Sequence, residues 1–245
     1  MKVSVLNLVP LRHGESFKDA MDAMVRLAKR VEDLGYTRYW IAEHHNMRSI
    51  ASSATQLLIQ HTLANTKKIR VGSGGVMLPN HSPYLIAEQY GTLETLYPNR
   101  VDLGLGRAPG TDVPTAMALR RTKDLKTDFE RDLAELSGYF KGSNYVQAYP
   151  AHGLYLPFYI LGSSTDSAYL AAKLGLPYSF AAHFAPAMME NAIAIYNRYF
   201  QPSAILDKPY VILGVNAILA DTDEEAKRLS TTMIQSFLNI VTSNQ

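Results

Sequence analysis

Short apolar segments alternate with longer amphipathic segments along almost the whole chain, and this rhythm limits the fold more than any other feature. A strand, a helix and another strand in succession favour parallel pairing, because a parallel neighbour is reached only through a crossover of a dozen residues or more. The pattern predicts strands over 2–9, 36–42, 69–72, 101–105, 158–161, 178–182 and 210–220. Between them it predicts a helix capped by Ser16 with Asp19 in the capping-box position and closed by Gly35, then a helix over 55–64. Further helices follow: one opened by Ser82-Pro83 and ended by Pro98, then 125–140, 166–174, 187–200, and one opened by the capping box Thr222–Glu225 and running to about Leu238. Only 145–155 breaks the rhythm and reads as a short hairpin around Pro150 and Gly153.

Seven strands alternating with seven helices fit either a doubly wound sheet or a barrel. The barrel is favoured, since the units resemble one another and no G-x-G-x-x-G follows the first strand. The expected fold class is α/β, a TIM-like (β/α) barrel forming one domain over 1–245. Its eighth strand–helix unit is expected to be missing, because only 239–245 follow the last helix.

Composition narrows the function. The 245 residues include no Cys, which excludes disulfides, thiolate metal sites and a Cys nucleophile. Lys and Arg number 24 against 22 Asp and Glu, and this near balance argues against a nucleic-acid partner, which calls for a basic excess. No stretch approaches the roughly 20 apolar residues of a membrane helix, and the N-terminal apolar run is broken by Pro10 and Arg12 before it could act as a signal. A cytoplasmic protein without a membrane partner is expected.

In a barrel the site lies at the C-terminal ends of the strands. Glu43-His44-His45-Asn46 follows the second strand, and Ser73-Gly74-Gly75 followed by Pro79-Asn80-His81-Ser82-Pro83 follows the third. Gly104-Leu105-Gly106-Arg107-Ala108-Pro109-Gly110-Thr111-Asp112 marks the fourth, Gly162-Ser163-Ser164-Thr165-Asp166-Ser167 the fifth, and His183 the sixth. The connection over 106–124 is long, and long connections are often functional. No metal is expected: neighbouring side chains at a strand end point opposite ways, and there is no H-E-x-x-H. One of the paired histidines is expected to serve structure by bonding a neighbouring loop. Arg107 is suited to a phosphate. The serine run can be a plain N-cap, or with its hydroxyls and free N–H groups a phosphate cradle.

These residues, taken together, resemble the bacterial luciferase-like flavin monooxygenase family. The resemblance rests on Trp40-Ile41-Ala42-Glu43-His44-His45, on Val71-Gly72-Ser73-Gly74-Gly75-Val76-Met77-Leu78-Pro79, and on Arg100-Val101-Asp102-Leu103-Gly104-Leu105-Gly106-Arg107. His81-Ser82-Pro83 with Glu88, and Leu174-Gly175-Leu176-Pro177, add to it. It extends from Lys2 to about Leu238. The resemblance implies an enzyme that uses reduced FMN from a separate flavin reductase, together with O2, to oxidise a small organic substrate such as an aldehyde. Relatives on the same fold use the deazaflavin F420 for hydride transfer, and a shortened relative binds flavin without luminescence. The resemblance further implies that His44 lies at the reactive edge of the flavin and is catalytic with Glu43. It implies cofactor contacts from Gly74, Gly75, Glu88, Arg107, Ser163, Ser164 and Ser167, a cis peptide between Gly74 and Gly75, and a homodimer.

Overall fold

The computed structural model describes residues 1–108, 110–120 and 126–242, without the side chains of 236, 237 and 239–241. Pro109, in the fourth strand-end motif, and 121–125, where a helix was expected to begin, lie outside the described residues. The described residues hold seven strands: β1 (Ser4–Asn7), β2 (Arg38–Ile41), β3 (Arg70–Met77), β4 (Val101–Gly106), β5 (Phe158–Gly162), β6 (Tyr178–Phe180) and β7 (Val211–Leu213). They form one sheet in chain order, with every neighbouring pair parallel. The α-helices are α1 (Phe17–Asp33), α2 (Thr55–Ala64), α3 (Pro83–Leu96), α4 (Val113–Arg120), α5 (Phe129–Lys141), α6 (Thr165–Leu174), α7 (Met189–Tyr199) and α8 (Asp223–Val241). The chain forms two compact units, 1–213 with the sheet and α1 to α7, and 214–245 with α8. No helix among the described residues is long and apolar enough to cross a membrane.

Local chemistry accounts for the helix ends. Ser16 accepts from the Asp19 N–H while the Asp19 carboxylate accepts from the Ser16 N–H at 2.9 Å, a complete capping box for α1. Ala20, Met24, Ala28 and Val31 recur at helical spacing and are buried against the sheet side of the core. Thr222 caps α8 by accepting from the Glu225 N–H, but the box there is half made, because the Glu225 carboxylate turns to Arg228 instead.

The two faces of the sheet differ. Tyr39, Ile41, Val71, Val101, Leu103, Leu105 and Ile160 belong to the apolar core shared with the helices. The alternate residues Arg38, Trp40, Arg70, Asp102 and Tyr159 point to the other face, as the two-residue period of a strand requires. There the Asp102 carboxylate, with no exposed surface, accepts from Arg38 Nε at 3.1 Å, Arg70 Nε at 2.8 Å, Trp40 Nε1 at 3.0 Å and the Tyr159 hydroxyl at 3.4 Å. Burial, with the Asp102 charge beside it, pushes the Tyr159 phenol up to about 12, so it stays a donor.

Three expectations need correction. β3 runs on through Ser73-Gly74-Gly75 to Met77 and does not stop at Gly72. It passes Gly104 with a register shift between Ser73 and Val76, so two residues oppose one. The Ser73 hydroxyl closes the gap by donating to the Gly104 carbonyl at 2.9 Å and accepting from the Gly104 N–H at 3.1 Å. Second, the expected long strand over 210–220 is only Val211–Leu213, since β6 offers three residues to pair with. Third, 145–155 is not a hairpin. His152 and Leu154 N–H close turns on the Ala148 and Ala151 carbonyls, while Gly153 N–H donates to the Phe140 carbonyl and the Gln147 carbonyl accepts from the Tyr84 hydroxyl. Ala148 and Ala151 are fully buried, and a side chain at Gly91 of α3 would collide with Ala151. The long connection after β4 contains α4, which was not expected, and α5 begins at Phe129 after the non-helical 126–128.

Asp102→Asn should cost about 3–5 kcal/mol in urea unfolding, because it leaves buried Arg38 and half-buried Arg70 without their counter-charge. A second test lies at the end of α1. The Glu32 carboxylate accepts from the N–H groups of Lys67, Lys68 and Ile69 at the entrance to β3. Burial works against its charge, but these bonds prevail and hold the carboxyl below its ordinary 4.5. A depressed folded pKa gives stability that is present above the unfolded value and lost as pH falls through the folded one. Glu32→Gln should therefore lower stability by about 1–2 kcal/mol at pH 7. The gap from wild type should shrink as the pH falls below the ordinary carboxylate value, as read by denaturation at pH 7 and pH 4.

Candidate active site

β2 delivers Glu43, His44 and His45 to the C-terminal end of the sheet. Glu43 is fully buried, and its two oxygens are divided among three donors. Oε1 faces His45 Nε2 at 2.9 Å and His81 Nε2 at 2.8 Å, while Oε2 accepts from the Met77 N–H at 3.2 Å. Burial would raise its pKa, but the bonds from His45 and His81 outweigh that and hold the carboxyl below its usual range. Glu43 and His45 share a side because they are two residues apart along extended chain. His81 arrives from the far end of the short 3-10 turn Leu78–Asn80 that follows β3.

His44 points the other way and is half-buried. Its ring bonds the backbone at Gly110, and burial lowers its pKa, which favours the neutral imidazole. Two more bonds join the same loops. Asn46, with a left-handed φ of 54°, donates to Asp112 at 2.8 Å, and the Thr111 hydroxyl reaches the His45 carbonyl at 3.4 Å. Asp112 also caps α4 by accepting from the Thr115 N–H at 2.8 Å. The loop after β4 therefore clasps the loop after β2.

Gly74 and Gly75 lie in the β3 bulge, and the peptide between them is cis, as the resemblance implied. A side chain at Gly74 would meet Leu6 and Trp40, and one at Gly75 would come within 2.8 Å of the Gly104 carbonyl. Only glycine allows the two strands this approach.

Arg107 leaves the end of β4, is largely exposed, and reaches Asp166 in the first turn of α6 at 3.4 Å. Ser164 is the N-cap residue of α6, yet its side chain makes no capping bond, and Ser163 beside it is exposed. Ser167 is turned inward: its hydroxyl bonds the Ser164 carbonyl at 2.7 Å and lies 3.0 Å from the Tyr178 hydroxyl. Arg107 also lines a cleft of about 110 Å³ with Pro79, Asn80, Thr111, Asp112 and Arg120. Glu88 lies on α3, and its carboxylate bonds Tyr84 one turn earlier.

The structure thus brings Glu43 and His44 to the end of β2, Arg107 to the end of β4, and Ser163 and Ser164 to the neighbouring end of β5. His45 and His81 were both placed at strand ends by the sequence, but their pairing with Glu43 was not read from it. The two-residue spacing of Glu43 and His45 was a usable signal, whereas nothing local points from Glu43 to His81.

The family described as luciferase-like monooxygenase matches residues 1–243. The chain belongs to the luciferase-like monooxygenase family. It is 51% identical over 241 residues to a luciferase-like monooxygenase of Escherichia coli (strain K12), covering 97% of this chain and 72% of that one. The crystal structure of apo-MsnO8 superposes with a TM-score of 0.92 at 35% identity, covering 99% of this chain and 73% of the other. The oxygenating constituent of 3,6-diketocamphane monooxygenase from Pseudomonas putida, solved in complex with FMN, gives a TM-score of 0.73 at 20% identity. That match covers 95% of this chain and 71% of the other. At that identity it speaks for the fold alone, a parallel α/β sheet of the TIM-barrel type. Membership makes the protein a flavin-dependent oxidoreductase of the monooxygenase type.

Proposed function

We propose that this protein is an FMN-dependent monooxygenase that takes reduced flavin from a separate reductase and oxidises a small organic substrate with O2. The observation that carries the reading is Arg107 meeting the open first turn of α6. An arginine, a helix start whose N-cap side chain is uncommitted, and an exposed serine hydroxyl are complementary to a phosphate dianion. The Arg107–Asp166 pair is long and solvent-exposed, so releasing it for a phosphate costs little.

The donor set therefore fits the phosphate end of FMN. Arg107 and the Ser163 and Ser164 groups would hold it, and Ser167 would fix the Ser164 carbonyl and with it the shape of the turn. Reduced flavin supplies two-electron activation of O2, with one oxygen atom entering the substrate and the other leaving as water. Gly74 and Gly75 let the bulged end of β3 lie close against Gly104 of β4, and their backbone would border the planar ring. His44, tethered to Gly110, exchanges a proton at its imidazole with the reacting groups. Glu43 has all its bonding directed to His45, His81 and Met77, so it acts by positioning the ends of β2 and β3. Glu88 bonds Tyr84 on α3 and is assigned no direct contact in this reading. The clasp between the loops after β2 and β4 limits the entry of water to the mouth.

Titrating the purified protein with FMN, with reduced FMN and with F420, followed by absorbance, tests cofactor choice. Preference for F420 would replace this reading with hydride transfer. Arg107→Ala should weaken FMN binding by about 1.5–3 kcal/mol, or roughly 10- to 150-fold in Kd. An unchanged Kd would remove Arg107 from the site. His44→Ala should bind FMN with nearly the wild-type Kd yet lose about 10²–10⁴-fold in coupled turnover with a reductase. Tight FMN binding by a wild-type protein that oxidises no aldehyde or other substrate offered would favour a flavin-binding protein without turnover.

A further inference from the structure

We propose that Glu43, His45 and His81 form a binding site for one divalent transition-metal ion, with zinc the best match. Glu43 Oε1, His45 Nε2 and His81 Nε2 lie within 4.8 Å of one another, and among the described residues no other group of three such side chains does so. Two imidazole nitrogens and a carboxylate oxygen are a borderline-soft set suited to zinc, cobalt(II) or iron(II), and ill-suited to calcium or magnesium.

The geometry needs little change. Ligand atoms bound to one zinc ion at about 2.0–2.2 Å stand roughly 3–3.5 Å apart in a tetrahedron. Here each nitrogen is 2.8 or 2.9 Å from the carboxylate oxygen, so these two separations have to open by a few tenths of an ångström, and the ligand atoms all lie within 4.8 Å of one another. The carboxylate is held from behind, since its second oxygen accepts from the Met77 N–H. Such outer support is what fixes a ligand's direction at metal sites. The histidine side chains are 12% and 21% exposed while Glu43 has no exposed surface. The histidine side is therefore open to an incoming ion, and a water can complete four-coordination from there.

Without metal, each imidazole points an Nε2–H at Glu43. On binding, each proton moves to Nδ1, the Nε2 lone pairs go to the ion, and the carboxylate keeps its charge. The ion then ties the end of β2 to the turn after β3, which the His81–Glu43 bond joins without it. Metal should therefore stabilise the fold, because binding is linked to the native state. None of this depends on flavin.

The test uses the flavin-free protein, Zn2+ by calorimetry and Co2+ by visible absorption. Wild type should bind one equivalent of Zn2+, raise its melting temperature with added Zn2+, and give a Co2+ spectrum with the intense bands of a four-coordinate N/O site. His81→Gln keeps an N–H donor toward Glu43, so it guards against a folding failure, and it should lose at least about 10-fold in Zn2+ affinity together with the Co2+ bands. Glu43→Gln should behave likewise, while His152→Ala, on the 145–155 loop, should bind as wild type does. Absence of stoichiometric Zn2+ uptake by wild type would overturn the proposal. So would equal uptake by His81→Gln, and the trio would then be a hydrogen-bonded brace only.

Discussion

The Asp102 carboxylate is the fixed point of the sheet. It is fully buried on the inner face and receives Arg38 and Trp40 from β2, Arg70 from β3 and Tyr159 from β5, while itself standing on β4. A lone buried carboxylate would be prohibitive, and two arginines with two neutral donors make it tolerable. The arrangement is directional, unlike apolar packing. A slip of β2, β3 or β5 by one residue would turn its donor to the opposite face and leave charges unpaired. Arg38 also lies over the Tyr159 and Tyr210 rings, at 5.4 and 5.7 Å from their centroids, and so brings the chain at the entrance to β7 into the same network.

With the register of β3 against β4 held at one end by Asp102, the irregularity between them falls toward the other end. Gly74 and Gly75 oppose the single residue Gly104 there, and the Ser73 hydroxyl takes the place of ladder bonds. The bulge carries Met77 and the turn after it toward β2, where the Met77 N–H and His81 find Glu43. A structural charge cluster near the strand entrances and a candidate site at the strand exits are thus linked by the same pair of strands. Stability concentrates at the first, and accessible, adjustable groups such as His44 and Arg107 at the second.

The sequence by itself determined the parallel α/β order, because the periods of its strands and helices and the caps at Ser16, Gly35 and Pro83 are local properties. It also placed His44, Arg107, Ser163 and Ser164 at strand exits, since a residue just after a strand can only be at its end. What it left open depends on neighbours distant in the chain. Ser73-Gly74-Gly75 reads as a turn locally, and becomes strand because Gly104 opposite lacks a side chain and Ser73 can bond it. Tyr210 to Ala220 reads as a long strand, but pairing ends where β6 ends. Ala148 and Ala151 look like hairpin residues, yet both are buried, Ala151 against Gly91 of α3. Glu43 gains its meaning from His81, 38 residues onward, and Asp102 from three other strands at once. Hydrogen bonds and close packing need both partners present, and only the tertiary structure brings them together.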